Sequence, residues 1–187
     1  MSVFIQNSDI SIINSIKFKK RNLTVLSLGV NFRDLEGFSN NFIKNTFEFP
    51  LFFVLSTELM DDEDIEKVKE LHIDYVCNKK NEWMILKVES AAQLKLTTRY
   101  CEGFASNGFR SFMIKGESLL LGELCPSVNW NHPIEFPDLN WDKVITLIDI
   151  DEVGLTVFTD DNRINSTLKL LNYIPKEYEI DLKNCDI

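Results

Sequence analysis

Asp149 and Asp151 close an apolar run, Ile145-Thr-Leu-Ile-Asp149-Ile-Asp151-Glu152-Val-Gly154, and two carboxylates at a strand end are what a small metal-assisted hydrolase would use. A hairpin turn explains the same residues without a metal, since Asp and Gly tolerate turn geometry and charge keeps a sheet edge soluble. Other chemistry is sparse. Cys77, Cys101, Cys125 and Cys185 show no CxxC or CxxxxC spacing, so free thiols are expected rather than a disulfide or a metal site. His72 and Cys77 form a lone H-x4-C pair, and neither His72 nor His132 neighbours an activated Ser or Cys in sequence. The phosphate-cradle and helical zinc patterns GxxxxGK[ST], GxGxxG and HExxH do not occur. No catalytic residue, metal ligand or cofactor is therefore assigned.

The run into Asp149 and Asp151 resembles the first motif of the haloacid dehalogenase phosphatases. That resemblance implies a first Asp that attacks phosphorus and a second that acts as acid and base beside Mg²⁺. It covers about ten residues. Only 36 residues follow Asp151, too few for the α/β units and the later Lys and Asp motifs that such a family requires.

Charge is more informative than motif. The chain has 187 residues and a net charge of −9. Residues 58–74 hold eight carboxylates against Lys67 and Lys69, a local −6, and residues 135–161 hold eight against Lys143, a local −7. The rest of the chain is thus net basic. The first block reads as a solvated helix. The second combines carboxylates with Trp130, Phe136 and Trp141, and aromatic anchors ringed by charge suit a tight interface, although either tryptophan could instead plug the core. The candidate partner-binding residues are Trp130, Trp141, Asp142, Asp151, Glu152, Asp160 and Asp161. Nucleic acid is a poor partner, because only the cluster Lys17, Lys19, Lys20 and Arg21 offers phosphates a basic face.

The elements that must position these residues follow from periodicity and caps. Strands are expected at Leu23–Val30, Leu51–Leu55, Ile73–Cys77, Trp83–Val88, Phe109–Ile114, Val144–Ile150 and Leu155–Thr159. Leu51–Leu55 is apolar throughout, as in a strand covered on both faces. Ile10–Phe18 reads as strand or short helix. Helices are expected over 34–47, over 61–71 behind the N-cap Asp61, from the capping box of Ser90 and Gln93 to Asn107-Gly108, and over Ile164–Leu171. In the second of these, Met60 should staple onto Ile65, Ile65, Val68 and Leu71 should form the buried stripe, and Glu63 should pair with Lys67. The stretch from Leu124 to Trp141 reads as a long surface loop. The mixed order predicts an α+β fold in a single domain, with a mixed, largely antiparallel sheet packed against several helices.

Length suits one hydrophobic core, and no run of about 18 apolar residues suggests a membrane span. The N-terminus has neither a basic leader nor an apolar stretch ending in small residues, so a soluble cytoplasmic protein is expected. In size, acidity, α+β pattern and want of catalytic motifs, the chain resembles bacterial immunity proteins, notably those acting against contact-dependent growth inhibition toxins. The resemblance implies a non-catalytic cytosolic protein that neutralises one cognate toxin domain with a basic surface, commonly a nuclease, by blocking its active site. The alternatives are the metal-dependent hydrolase using Asp149 and Asp151 and a non-catalytic scaffold or accessory subunit.

Overall fold

The computed structural model describes residues 2–7, 23–30, 34–78, 80, 82–126 and 134–182. Their organising element is one nine-stranded sheet. The strands are β1 (Ser2–Asn7), β2 (Thr24–Val30), β3 (Leu51–Ser56), β4 (Asp74–Cys77), β5 (Trp83–Val88), β6 (Ser111–Gly116), β7 (Val144–Asp151), β8 (Gly154–Thr159) and β9 (Glu179–Leu182). They lie in the order β4-β5-β3-β6-β7-β8-β2-β1-β9. Every pairing is antiparallel except that of β1 with β9. With helices α1 (Leu35–Thr46), α2 (Asp62–Glu70), α3 (Ala91–Ala105) and α4 (Thr167–Leu170), this is the expected α+β fold.

Strand period splits the interior into two cores. From β3, Leu51, Phe53 and Leu55 point to the helix side, where they join Phe38 and Phe42 of α1 and Leu94, Cys101 and Phe104 of α3. Phe52 and Val54 point to the opposite face, where Ile85, Phe112, Ile114, Leu147 and Phe158 wait. An all-apolar strand thus does mark burial on both faces. Leu94 and Phe53 are fully buried, each worth roughly 1.5–3 kcal/mol of transfer energy.

The second core corrects the reading of 124–141 as a surface loop. Leu124, Phe136, Leu139 and Trp141 are buried there, and Phe136 meets Phe112 and Trp141 edge to face at 5.7 and 6.3 Å. Helices cover one face of the sheet; the described parts of this segment, with Leu119, pack on the other. Residues 127–133, with Trp130 and His132, lie outside the described residues, as do Ile10–Phe18 and Cys185.

Local chemistry sets several boundaries. Asp61 caps α2 through a reciprocal box, its Oδ1 accepting from Asp64 N at 2.9 Å while Asp64 Oδ2 accepts from Asp61 N at 3.4 Å. Of the expected stripe only Val68 is fully buried, and Leu71 is an exposed C-cap. Met60 and Ile65 are both partly buried against the helix-side core. Lys67 turns to Asp64, at 3.6 Å, rather than to Glu63. At α3, Ser90 Oγ accepts from Gln93 N, but Gln93 Oε1 accepts from Glu89 N instead of closing the box on Ser90. Gln93 Nε2 meanwhile donates to Leu71 O, so the residue ties the end of α2 to the start of α3. Gly108, at φ 75°, lies just beyond α3 in the left-handed conformation expected past a helix end. The expected helix over 164–171 shrinks to Thr167–Leu170 followed by a 3₁₀ turn, because Asp161, Asn162, Asn165 and Ser166 hold a turn and cap before it.

Two strands went unanticipated. β1 and β9 pair with each other across almost the whole chain, and no local pattern signals so distant a partner. No helix of the described residues is long and apolar enough to cross a membrane.

Candidate functional site

The two aspartates of the D-x-D run sit near the end of β7, where the register sets Asp149 opposite Phe112 of β6 and Thr156 of β8. Asp151 pairs with Gly154 across the turn. That turn needs its glycine: φ is 138°, and a Cβ would lie 2.1 Å from Leu28 O. Asp151 Oδ1 accepts from Val153 N at 2.9 Å, fixing the turn from inside. The hairpin is thus as expected, but it leaves neither aspartate simply solvated.

Both converge on Arg110, just before β6. Its Nη1 lies 3.0 Å from Asp149 Oδ2 and its Nη2 lies 3.4 Å from Asp151 Oδ2. Asp149 is 2% exposed, and its Oδ1 accepts no hydrogen bond among the described residues. Burial pushes its carboxyl up to about 7, with the Arg110 charge pulling down and the Asp151 charge pushing up. A guanidinium supplies the countercharge to both carboxylates. No group of three His, Cys, Asp or Glu among the described residues is placed to hold a metal ion.

Arg110 also lines a cleft of about 230 Å³ in front of it, and Asp149 behind it does not. The cleft is walled by Ser56 and Glu58 past the end of β3, Glu82 and Trp83 at the start of β5, Phe109, and Ile134 from the covering segment. Its rim is stiff. Thr57 N donates to Glu82 O at 3.0 Å, which extends the β3–β5 ladder one step beyond the strands. Asn78 Oδ1 accepts from both Glu82 N and Trp83 N, at 2.8 and 3.2 Å, and Ser56 Oγ accepts from Glu58 N at 3.3 Å. Trp83 is buried against Phe112, with centroids 6.4 Å apart.

The antiparallel register decides which acidic residues meet. The end of β3, the start of β5, the start of β6, and the turn between β7 and β8 all lie at one end of the sheet. Glu58 of the first acidic block and Asp151 and Glu152 of the second therefore gather there, together with Glu82, which belongs to neither. Asp142, Asp160 and Asp161 lie at the opposite end, where Asp160 N donates to Ile145 O, and the eight residues of β7 hold the two groups on the order of 20 Å apart. Asp161 is bound to Arg163 at 2.7 Å, which holds its carboxyl below the usual range. Trp141 is 5% exposed in the second core, which corrects its assignment as an interface anchor: its ring serves packing. The six described candidate residues do not form one patch.

Sequence reasoning missed Arg110, Glu58 and Glu82. A signal existed for the first: strand alternation places Arg110 with Phe112 and Ile114 on one apolar face, and a cation there requires a countercharge. A larger cleft of about 330 Å³ lies between α2 and α3, where Tyr100 Oη donates to Asp64 O at 3.3 Å and Lys67 meets the Asp64 carboxylate at 3.6 Å. Burial pushes the Tyr100 hydroxyl up to about 12, so it stays protonated. Cys77, Cys101 and Cys125 are free, and burial raises the Cys101 thiol to about 12, far from a reactive thiolate. Compared with protein-family models, curated proteins and solved structures, the chain matches none.

Proposed function

We propose that this protein is a cytosolic immunity protein that neutralises a cognate toxin domain with a basic surface, such as a nuclease, by occluding its active site. The observation that carries the reading is the gathering of Glu58, Glu82, Asp151 and Glu152 at one end of the sheet, beside the acidic first turn of α2. A nuclease must present positive potential to its substrate, and an acidic face can use that field both for rapid encounter and to block the cleft. The strand-end cleft, lined by Glu58 and Glu82, offers shape at the same end of the sheet. Asp149, the carboxylate a hydrolase reading would use as nucleophile, is paired with Arg110 instead.

The test is kinetic. A basic toxin domain that copurifies with the protein is immobilised, and association is followed by surface plasmon resonance over a salt series. Reversing Glu58 and Glu152 to lysine should lower the on-rate roughly tenfold at low salt and flatten its salt dependence. The matched reversal of Asp142 and Asp160 should change it little. An on-rate sensitive only to the second pair would move the face to the other end of the sheet; absence of any neutralised partner would dismiss the reading.

A further inference from the structure

We infer that the cleft between Glu58, Glu82, Trp83 and Phe109 is a receptor for one arginine side chain of the protein partner, an inference that rests on the occlusion reading and names its central contact. Size is the first argument. At about 230 Å³ the cleft falls below the roughly 300–1,000 Å³ of sites that take whole small molecules, so it fits a single side chain.

Charge is the second. Glu58 and Glu82 line the cleft with Arg110, Asp149 and Asp151 pair with Arg110, and Lys80 lies near Glu82, so the neighbourhood is −2 with every carboxylate ionised and −1 with Asp149 protonated. Among the described residues Arg110 forms no ion pair with Glu58 or Glu82; its Nη atoms lie 3.0 and 3.4 Å from Asp149 and Asp151. Among the described residues Glu58 has no ion-pair partner, and Glu82 has only Lys80 at 3.8 Å, with both of those side chains at least half exposed. Two carboxylates on a stiff rim are therefore available to a cation from outside.

Chemistry of the walls selects guanidinium over ammonium. The cleft is flanked by Trp83 and Phe109, and a planar, weakly hydrated cation stacks on aromatic rings while its fork reaches two carboxylates. Ile134 gives the aliphatic stem an apolar neighbour. The rim hydrogen bonds at Asn78, Ser56 and Thr57 fix the backbone that carries Glu58 and Glu82 before any ligand arrives, so binding has only their side chains left to order.

The test uses the intact protein, labelled with ¹⁵N, and the peptide acetyl-Gly-Arg-Gly-amide as probe. Titration should give a saturable shift of the Trp83 indole N–H and the Gly108 and Phe109 amides. The citrulline peptide, which keeps the shape and loses the charge, should give none. The exposed double variant Glu58→Gln, Glu82→Gln should weaken the response roughly tenfold, about 1.4 kcal/mol, with an otherwise unchanged spectrum. Equal responses to the citrulline or lysine peptide, shifts centred on α2 or on the Asp151–Gly154 turn, or an undiminished response in the double variant would each overturn the assignment. Specific peptide binding in a protein that neutralises no toxin would uphold the cleft and dismiss the occlusion reading; neutralisation unaltered in the double variant would do the reverse.

Discussion

The two acidic blocks look alike in sequence and differ in physical state. On α2, Asp62, Glu63, Glu66 and Glu70 face water, the first-turn carboxylates answer the helix dipole, and Lys69 meets Glu66 at 2.8 Å between exposed side chains. On β7, Asp149 is buried against an arginine and its carboxyl is raised to about 7. Counting carboxylates therefore overstates the field of the second block and describes the first fairly. Burial decides which charges a partner can sense.

Removing Arg110 should break the contrast most severely. Arg110→Met leaves Asp149 buried without its countercharge and should cost about 3–5 kcal/mol in urea unfolding at pH 8. The loss should shrink at pH 5, where Asp149 can take a proton. An equal loss at both pH values would mean that the side chain acts through packing alone.

Asp149→Asn sharpens the same point through pH. The folded carboxyl titrates near 7 against an ordinary 3.8, so its contribution is full below about pH 4 and is lost as pH rises to 7. Between pH 5 and 8 this amounts to about 2–3 kcal/mol, and the asparagine variant should lose that slope in unfolding titrations. A slope unchanged by the substitution would place the ionisation elsewhere.

On the solvated side the effects should be smaller. Asp61→Ala removes the α2 cap and should lower stability by about 1 kcal/mol, with faster amide exchange confined to the first turn of that helix. Lys69→Gln should leave the urea midpoint unchanged, because water already solvates that pair. A marked shift from Lys69→Gln would show α2 to be a coupled charge network instead of a solvated face.

What the sequence showed follows the same division between local and distant. Asp61 announces its helix, Gly154 its turn, and the unbroken run of β3 its burial on two faces, since each depends on neighbours a few residues away. The second face of β3 also demanded a cover, and the 124–141 segment was the natural supplier, yet its prolines and weak periodicity pointed to the surface. The candidate site depends on pairing between strands. Arg110 meets carboxylates some 40 residues away only because β6 and β7 are antiparallel in one register, and the same register separates Asp151 from Asp160. A single sequence carries no direct record of that register.

The pairing of β1 with β9 has a kinetic meaning. Ser2 lies opposite Glu179, so in an unfolded chain this contact closes a loop of 177 residues, about 2.5 kcal/mol dearer in entropy than a ten-residue hairpin. Such a contact forms late, after the hairpins of β4 with β5 and β7 with β8 have shortened the path between its ends. Until β9 arrives, β1 exposes an unpaired ladder of amides to any other strand. Docking of β9 moves the open edge of the sheet from the six residues of β1 to the four of β9, a shorter strand that carries Glu179 and Asp181.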